Sequence, residues 1–454
     1  MNKIILRFAF LCFVILSFLK GIFVLDPDFG WHVRMGQEIL MSGIPLHDPF
    51  SYTMMSYPFV DHEWLTNVVM FFLYKNGGMF AASIFFSAAL FLTMWILLKN
   101  GKCKVPEIFL LIAASLLGFG GVRPQVLGWL FFVMWMRELL KTKHNNGLLL
   151  FLQLLWANLH GSFFLGLSSY ILFWGIEQIN KKSKKSSLVM CVALFVVTLI
   201  NPYTYRIWWE VFMQLTDGSL RWRIMEWIPG VLVFDISFWI YVCIFLSLFI
   251  KFRNKIGLFQ KMITTIFFLM ALSTARNMPL FLLVSSSSFL ILWGAFEKSI
   301  PIQKKEASLF FKKTIVGICV FVSVVSVCLT ILSYKPIHKV YPVDAVNYLR
   351  RNQLNGNIFS LYEWGGYIIW KSPENKVFVD GRMPSWRWKQ DDPHQSNNAD
   401  SEYRAIFKTK NGFDYYKQKY AIKYVLIGKE KDRQLLFKKY KKIYEDETAT
   451  LYKL

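Results

Sequence analysis

The sequence predicts a polytopic α-helical membrane protein carrying a C-terminal α/β domain. Of 454 residues, 55% are hydrophobic and only 18% charged, with 43 Phe and 17 Trp. A soluble chain of this length carries more charge and shorter apolar runs. Stretches such as 80–98, 238–250 and 314–332 approach or reach the ~20 residues that a bilayer-spanning helix needs. Beyond residue 333 these runs stop, and short strand-like and helix-like segments alternate.

The formal net charge of +23 would suit nucleic acid, but its distribution excludes that partner. Lysines gather in short loops between apolar runs, at 99–104, 141–144, 180–185, 251–255 and 298–313. Cytoplasmic loops read this way. None of the six cysteines lies in the tail, so no disulfide framework is implied.

The first apolar run, 8–25, follows Lys3 and Arg7, and Lys20 near its far end can snorkel to the interface. It lacks a small-residue cleavage site and exceeds a usual signal-peptide core. It is expected to be an uncleaved first span of a bacterial inner-membrane protein, with its N-terminus in the cytoplasm. Alternation from there gives about eleven spans, at 8–25, 78–98, 105–120, 124–141, 147–159, 161–179, 186–201, 233–251, 257–274, 279–296 and 313–333. Every lysine cluster then falls on the cytoplasmic side.

The opposite side reads differently. Its loops are 26–66, 120–125, 158–161, 201–227 and 275–279, where single arginines stand beside Asn, His, Asp and Trp. Arginine presents a planar fork of donors that suits phosphate. An interfacial aromatic belt with ordinary polar neighbours is the alternative explanation.

In the first outer loop Asp26 can cap a helix that has Pro27 at its first position. A helix over 27–42 places Asp28 and His32 four apart on one face. Gly43, Pro45 and Pro49 turn the chain, and "VDHEWLTNVVMFFLY" starts a second helix near His62 that "KNGG" breaks before the next span. The loop is thus two surface helices with acids at both starts.

These residues resemble those of the GT-C superfamily of integral-membrane glycosyltransferases. The resemblance rests on "DPDFGWH", "GIPLHDPFSYT" and "DHEWL", with "RPQ", "WANLHG", "NPY" and "ARNMPLF" further on and "YEWGGYIIW…VFVDGR" in the tail. It implies an inverting transferase that takes sugar from a polyprenyl-phosphate donor to a glycan, lipid or protein acceptor outside the cytoplasm. An acid just after the first span would serve as base or acceptor-orienting group. The Trp-Trp-Asp motif of oligosaccharyltransferases is missing, which argues against a peptide-asparagine acceptor.

Chemistry assigns the candidates. A carboxylate beside apolar walls can take an acceptor proton; family position favours Asp28, with Asp26 next, and a plain helix cap is the alternative for Asp26. Arg123 and Arg276 stand at the outer ends of spans, where a bare cation is costly, and are expected to meet the donor phosphate. Asn158, His160 and Asn277 offer hydrogen bonds to sugar hydroxyls. His32, His62 and Glu63 position the acceptor or tie the surface helices together. His47, Asp48 and Asp61 could hold Mg²⁺ or Mn²⁺, although turn and cap roles also fit the two aspartates.

Residues 1–333 are expected to form the membrane domain, including the 26–66 loop, and 334–454 a separate extracytoplasmic domain. In the tail, 357–360, 376–380, 423–428 and 449–454 read as strands. "VDAVNYLRR", "EWGGYIIWK" and "KDRQLLFKKYKK" read as helices. An Asp380–Arg382 pair fixing a loop is expected over an acceptor contact. Two further readings are a lipid-linked glycan transporter and a non-catalytic envelope-assembly protein. A transporter would place ionisable residues at mid-membrane, whereas here they gather at one face.

Overall fold

The computed structural model describes residues 3–99, 108–180, 185–300, 305–408 and 412–454. The lysine clusters at 99–104, 180–185 and 298–313 lie partly outside these residues, as does the start of the 105–120 span; Cys103 lies wholly outside. The chain divides into two compact units. One comprises 1–22, 82–204 and 218–334, and the other comprises 23–81, 205–217 and 335–454.

The chain starts with α1 (Lys3–Phe23), α2 (Phe29–Ser42) and α3 (Trp64–Lys99). In α3 the backbone breaks at Gly77 and Gly78, where Gly78 has φ +59°. That left-handed conformation is cheap only for glycine, so the expected break at "KNGG" occurs. The helices α4 (Ile108–Phe119), α5 (Gln125–Leu139), α6 (Asn146–Leu159), α7 (Phe164–Ile179) and α8 (Lys185–Thr198) follow. Next come α9 (Arg206–Thr216), α10 (Ile236–Phe252), α11 (Leu258–Ser273), α12 (Met278–Lys298) and α13 (Lys305–Leu332).

Each expected span coincides with a helix, but against the eleven expected, three helices among the described residues are long and apolar enough to cross a membrane: Trp64–Lys99, Ile236–Lys255 and Ala275–Lys298. In α4 every residue from Ile108 to Leu117 is buried within the protein. Its apolarity serves helix packing.

The first unit is a helical bundle in which α11 packs on α12, α13 on α4, and α10 on both α4 and α12. Several of its buried polar groups are satisfied by partners within the bundle, as a low-dielectric interior favours. Asp235 caps α10 through the Phe238 N–H at 2.9 Å and also accepts the Ser115 hydroxyl at 2.6 Å. Trp135 Nε1 donates to Ser169 at 2.9 Å. Lys20 does not snorkel. It is buried, and its ammonium donates to the Leu117 and Gly118 carbonyls, both at 2.7 Å, at the C-terminal end of α4. Unpaired carbonyls at a helix end attract a cation.

The second unit joins the first outer loop to the tail. Here β1 (Asn357–Ser360) runs parallel to β2 (Ile422–Gly428), which pairs antiparallel with β4 (Ala449–Lys453); β3 (Lys441–Glu445) pairs antiparallel with β4. The sheet order is β1-β2-β4-β3. Val377 bridges β1 at Ile358 and also bridges Ser51 of the first outer loop. The expected strand over 376–380 is reduced to this bridge residue, and the carbonyls of Lys376 and Phe378 beside it accept from the Ile358 N–H and the Thr53 hydroxyl. The helix expected to run through "KDRQLLFKKYKK" stops at Phe437, since Lys441–Glu445 is drawn into the sheet.

One hydrophobic core serves both parts of this unit. Trp31, Met35, Phe50, Tyr52, Tyr57 and Phe59 from the loop pack with Ile358, Phe359, Phe378, Trp386 and Val425 from the tail. The expected boundary at residue 333 therefore differs from the structure, in which the loop belongs with the tail.

Candidate active site

In the second unit, α2 begins two residues later than expected. Asp28, not Asp26, is its N-cap residue. Asp26 Oδ1 instead accepts the Asp28 N–H at 2.9 Å, closing a small turn ahead of the helix. The Asp28 side chain leaves the helix end without a side-chain cap and accepts the Trp31 indole N–H at 2.9 Å. A Cβ placed on Gly381 would run into this carboxylate. Asp28 is half-buried, and its charge, with those of Asp380 and Asp400, bears on the Tyr362 phenol. Burial first, and those carboxylates second, push that phenol well above its ordinary range.

His32 faces a different set of partners from Asp28. Its Nδ1 lies 2.6 Å from Asn67 Oδ1, and the Asn67 amide donates to Asp61 Oδ2 at 2.7 Å. Because the amide nitrogen serves Asp61, the Asn67 oxygen must accept, and the proton sits on His32 Nδ1. Glu63 stands between two imidazoles, 3.8 Å from His32 Nε2 and 3.8 Å from His62 Nε2. Of the two expected roles for His32, His62 and Glu63, this geometry fits tying α2 to α3. Asn67 carried no separate signal in the sequence.

The metal candidates do other work. Asp48 accepts the Phe50 and Ser51 N–H groups and the Arg382 guanidinium. His47 is exposed, with Nδ1 3.3 Å from the Ser56 carbonyl oxygen. Asp61 is buried and turned to Asn67 and the Glu63 N–H, and burial raises its carboxyl from 3.8 to about 6. These three residues do not fit a cation: among the described residues no three His, Cys, Asp or Glu side chains are arranged to hold one.

Arg382 forms the centre of a buried cage. Its fork grips Asp380 through Nε at 2.8 Å and Nη2 at 2.7 Å, while Nη1 reaches Asp48 at 2.8 Å. Phe50, Phe59 and Trp386 surround the guanidinium at 4.9, 5.5 and 5.3 Å. Burial opposes its charge, but the two carboxylates raise its pKa above the ordinary value. The expected loop-fixing pair is thus a triad that also holds the first outer loop.

In the first unit Arg123 and Arg276 both act on one carboxylate that carried no separate signal in the sequence, Glu226, Arg123 by contact and Arg276 through its field. Arg123 is ion-paired with it. Burial works against its ionisation, yet Arg123 first and Arg276 second hold the Glu226 carboxyl below the usual range. Arg276 also lies 5.5 Å from the ring of the adjacent Trp227. In "RWRIMEW" a carboxylate among arginines and tryptophans looks like any interfacial loop, so only the fold reveals its partners.

The sugar-binding candidates near these helix ends are engaged with the backbone. Asn158 donates to the carbonyls of Leu154 at 2.8 Å and Ile200 at 3.0 Å. His160 Nδ1 accepts the Ser162 N–H at 3.1 Å, capping the following turn. Asn277 donates to the Thr274 hydroxyl at 2.5 Å and to the Met270 carbonyl at 3.3 Å. Asn277 thereby fixes the turn that carries Arg276, while Asn158 and His160 fix the turn between α6 and α7.

Solved structures share this architecture. The chain matches the archaeal oligosaccharyltransferase AglB from Archaeoglobus fulgidus, in complex with an inhibitory peptide and a dolichol-phosphate, with a TM-score of 0.62 and 11% identity over 94% of this chain and 70% of that one. The ArnT structure from Cupriavidus metallidurans, bound to undecaprenyl phosphate, matches with a TM-score of 0.54 and 9% identity over 100% of this chain and 98% of that one. The chain has the GT-C fold. A further Archaeoglobus fulgidus oligosaccharyltransferase structure, in complex with Zn and sulfate, gives a TM-score of 0.61 at 12% identity over 92% of this chain and 68% of that one. No protein family matches the chain by its sequence, and no curated protein does. At these identities the GT-C fold is shared while side chains are free to differ.

Proposed function

We propose that this GT-C-fold protein is a membrane glycosyltransferase that moves a sugar from a polyprenyl-phosphate donor to a hydroxyl-bearing glycan, lipid or protein acceptor on the outer side of the membrane. The observation that carries the reading is the ion pair of Arg123 with Glu226, with Arg276, far apart in sequence, close enough to bear electrostatically on the same carboxylate. Two guanidiniums around one anion make a seat that suits a phosphate. The lipid phosphates named in the AglB and ArnT complexes support the same donor class.

In this reading Asp28 takes the proton of the acceptor hydroxyl, and the freed oxygen bonds to the anomeric carbon. The bond from that carbon to the phosphate oxygen breaks, and its electron pair stays with the phosphate. Arg123 and Arg276 meet the charge that builds there, the kind of preorganised stabilisation that contributes most to such steps. Attack opposite the leaving group inverts the anomeric centre. Trp31 orients the Asp28 carboxylate through its N–H.

The test is turnover of purified protein in nanodiscs with a panel of polyprenyl-phosphate sugars and short glycan acceptors. Release of polyprenyl phosphate together with glycosylated acceptor is expected for at least one pair. Release of neither product across the panel, from protein that binds the donors, would overturn the transferase reading.

A further inference from the structure

Glu226 and the two arginines that act on it stand on different kinds of support. Arg123 directly precedes Pro124, the residue that opens α5, and Arg276 lies in the short turn Ala275–Asn277 that leads into α12. α12 is buried from Met278 to Ser286. Glu226 sits on a single 3-10 turn, Met225–Trp227, in a segment from 217 to 235 that contains no α-helix. Met225 beside it is 80% exposed. The backbone is pinned just beyond, where the Ala275 N–H donates to the Ile228 carbonyl at 2.8 Å and Gly230 packs on the Ala271 carbonyl. Rotation of the Glu226 side chain alone can release the ion pair without moving the arginines.

Charge gives such a release a direction. A lipid-linked sugar phosphate with one phosphoryl group is a diester with a single negative charge, whereas the lipid phosphate left after transfer is a monoester with close to two. A pair of guanidiniums favours the more charged species, so the spent carrier would hold the seat against new donor. A tethered carboxylate competes at a high effective concentration. On the phosphate reading of the arginines, we infer that Glu226 is a resident competitor for the donor seat, a positioning residue that keeps Arg123 paired, with Arg276 in its field, when no lipid is bound and speeds departure of the lipid phosphate product. The ion pair is partly exposed, at 23% for Arg123 and 28% for Glu226. Its competition is therefore worth roughly fivefold in affinity.

Binding of farnesyl phosphate, farnesol and inorganic phosphate to the full chain in nanodiscs tests this. Glu226→Gln should bind farnesyl phosphate roughly fivefold more tightly than the unaltered protein, with farnesol unchanged. Glu226→Asp, with its shorter reach, should tighten binding by a smaller factor, and it keeps the test open if Glu226→Gln does not fold. The same order with inorganic phosphate would mark a seat for the bare anion, and a response confined to farnesyl phosphate would mark a lipid-phosphate seat; either supports competition. Equal or weaker binding by folded Glu226 variants overturns the inference. If removing both guanidiniums (Arg123→Ala with Arg276→Ala) leaves the affinity of the unaltered protein unchanged, the phosphate reading falls with it. If that double change weakens binding while the Glu226 variants do not tighten it, only the role of Glu226 falls.

Discussion

The Asp28 carboxylate occupies the space into which a side chain on Gly381 would project. The tail therefore comes up against the first outer loop at the residue assigned to proton transfer, with backbone alone on the tail side. Trp31 fixes one carboxylate oxygen, and the Tyr362 phenol lies within electrostatic range of Asp28, Asp380 and Asp400.

Asp28→Asn keeps size and hydrogen bonding but removes the base. The variant should fold, with an unchanged melting temperature, and lose on the order of 10²–10⁴ in transfer rate. Normal turnover would move the role to Asp26. Gly381→Ala should also lower turnover, since the added methyl must displace the Asp28 carboxylate, and kinetics with the two variants combined should show no further loss.

Arg276→Lys keeps a charge but loses the planar fork, whereas Arg276→Ala loses both. Residual activity is expected in the first and almost none in the second, read as initial rates at saturating acceptor. Equal activity in the lysine, alanine and parent proteins would remove Arg276 from the phosphate.

Arg382 should matter for stability more than for turnover. Arg382→Ala leaves Asp48 and Asp380 buried without their cation, a change that costs about 3–5 kcal/mol. Arg382→Lys should recover part of this loss, because an ammonium cannot reproduce the bidentate grip on Asp380 together with the bond to Asp48. Thermal unfolding in detergent, followed by proteolysis of the second unit, reads both.

Asp61 predicts a pH dependence. Its carboxyl is raised from 3.8 to about 6 by burial, against the opposing Asn67 and Glu63 hydrogen bonds. Between those values the folded chain binds more protons at this site than the unfolded chain, so this residue's contribution to stability falls as pH rises from about 4 to about 6. Asp61→Asn should flatten that part of the melting-temperature profile and stabilise the protein at neutral pH. A steeper profile in the variant would contradict the assignment.

Membrane sidedness is open to chemical labelling. In a cysteine-free background, single cysteines at Ser42, Ser219 and Ser401 should react with an impermeant thiol reagent in intact cells, and a cysteine at Asn254 should not. The reverse pattern would put the Asp28 and Arg276 faces in the cytoplasm and call for a nucleotide-sugar donor.

By itself the sequence determined that the long apolar runs are helical, that they break at Gly77–Gly78, and that the 26–66 loop holds two helix starts, but not the helix Arg206–Thr216 within an expected loop. Those features are local: apolar runs, a left-handed glycine and polar helix starts act over a few residues. It also pointed to Asp28, Arg123 and Arg276 as residues whose chemistry is out of place at a span end. Tertiary structure decided the rest. Asp48 meets Arg382, Ser51 bridges Val377 and Glu226 meets Arg123 only because distant segments are packed together. A carboxylate in a turn looks the same whether it faces water, a metal or a guanidinium; its partner is set by packing that periodicity does not encode. For the same reason the boundary drawn at residue 333 misplaced the loop, whose aromatic residues find their core in the tail.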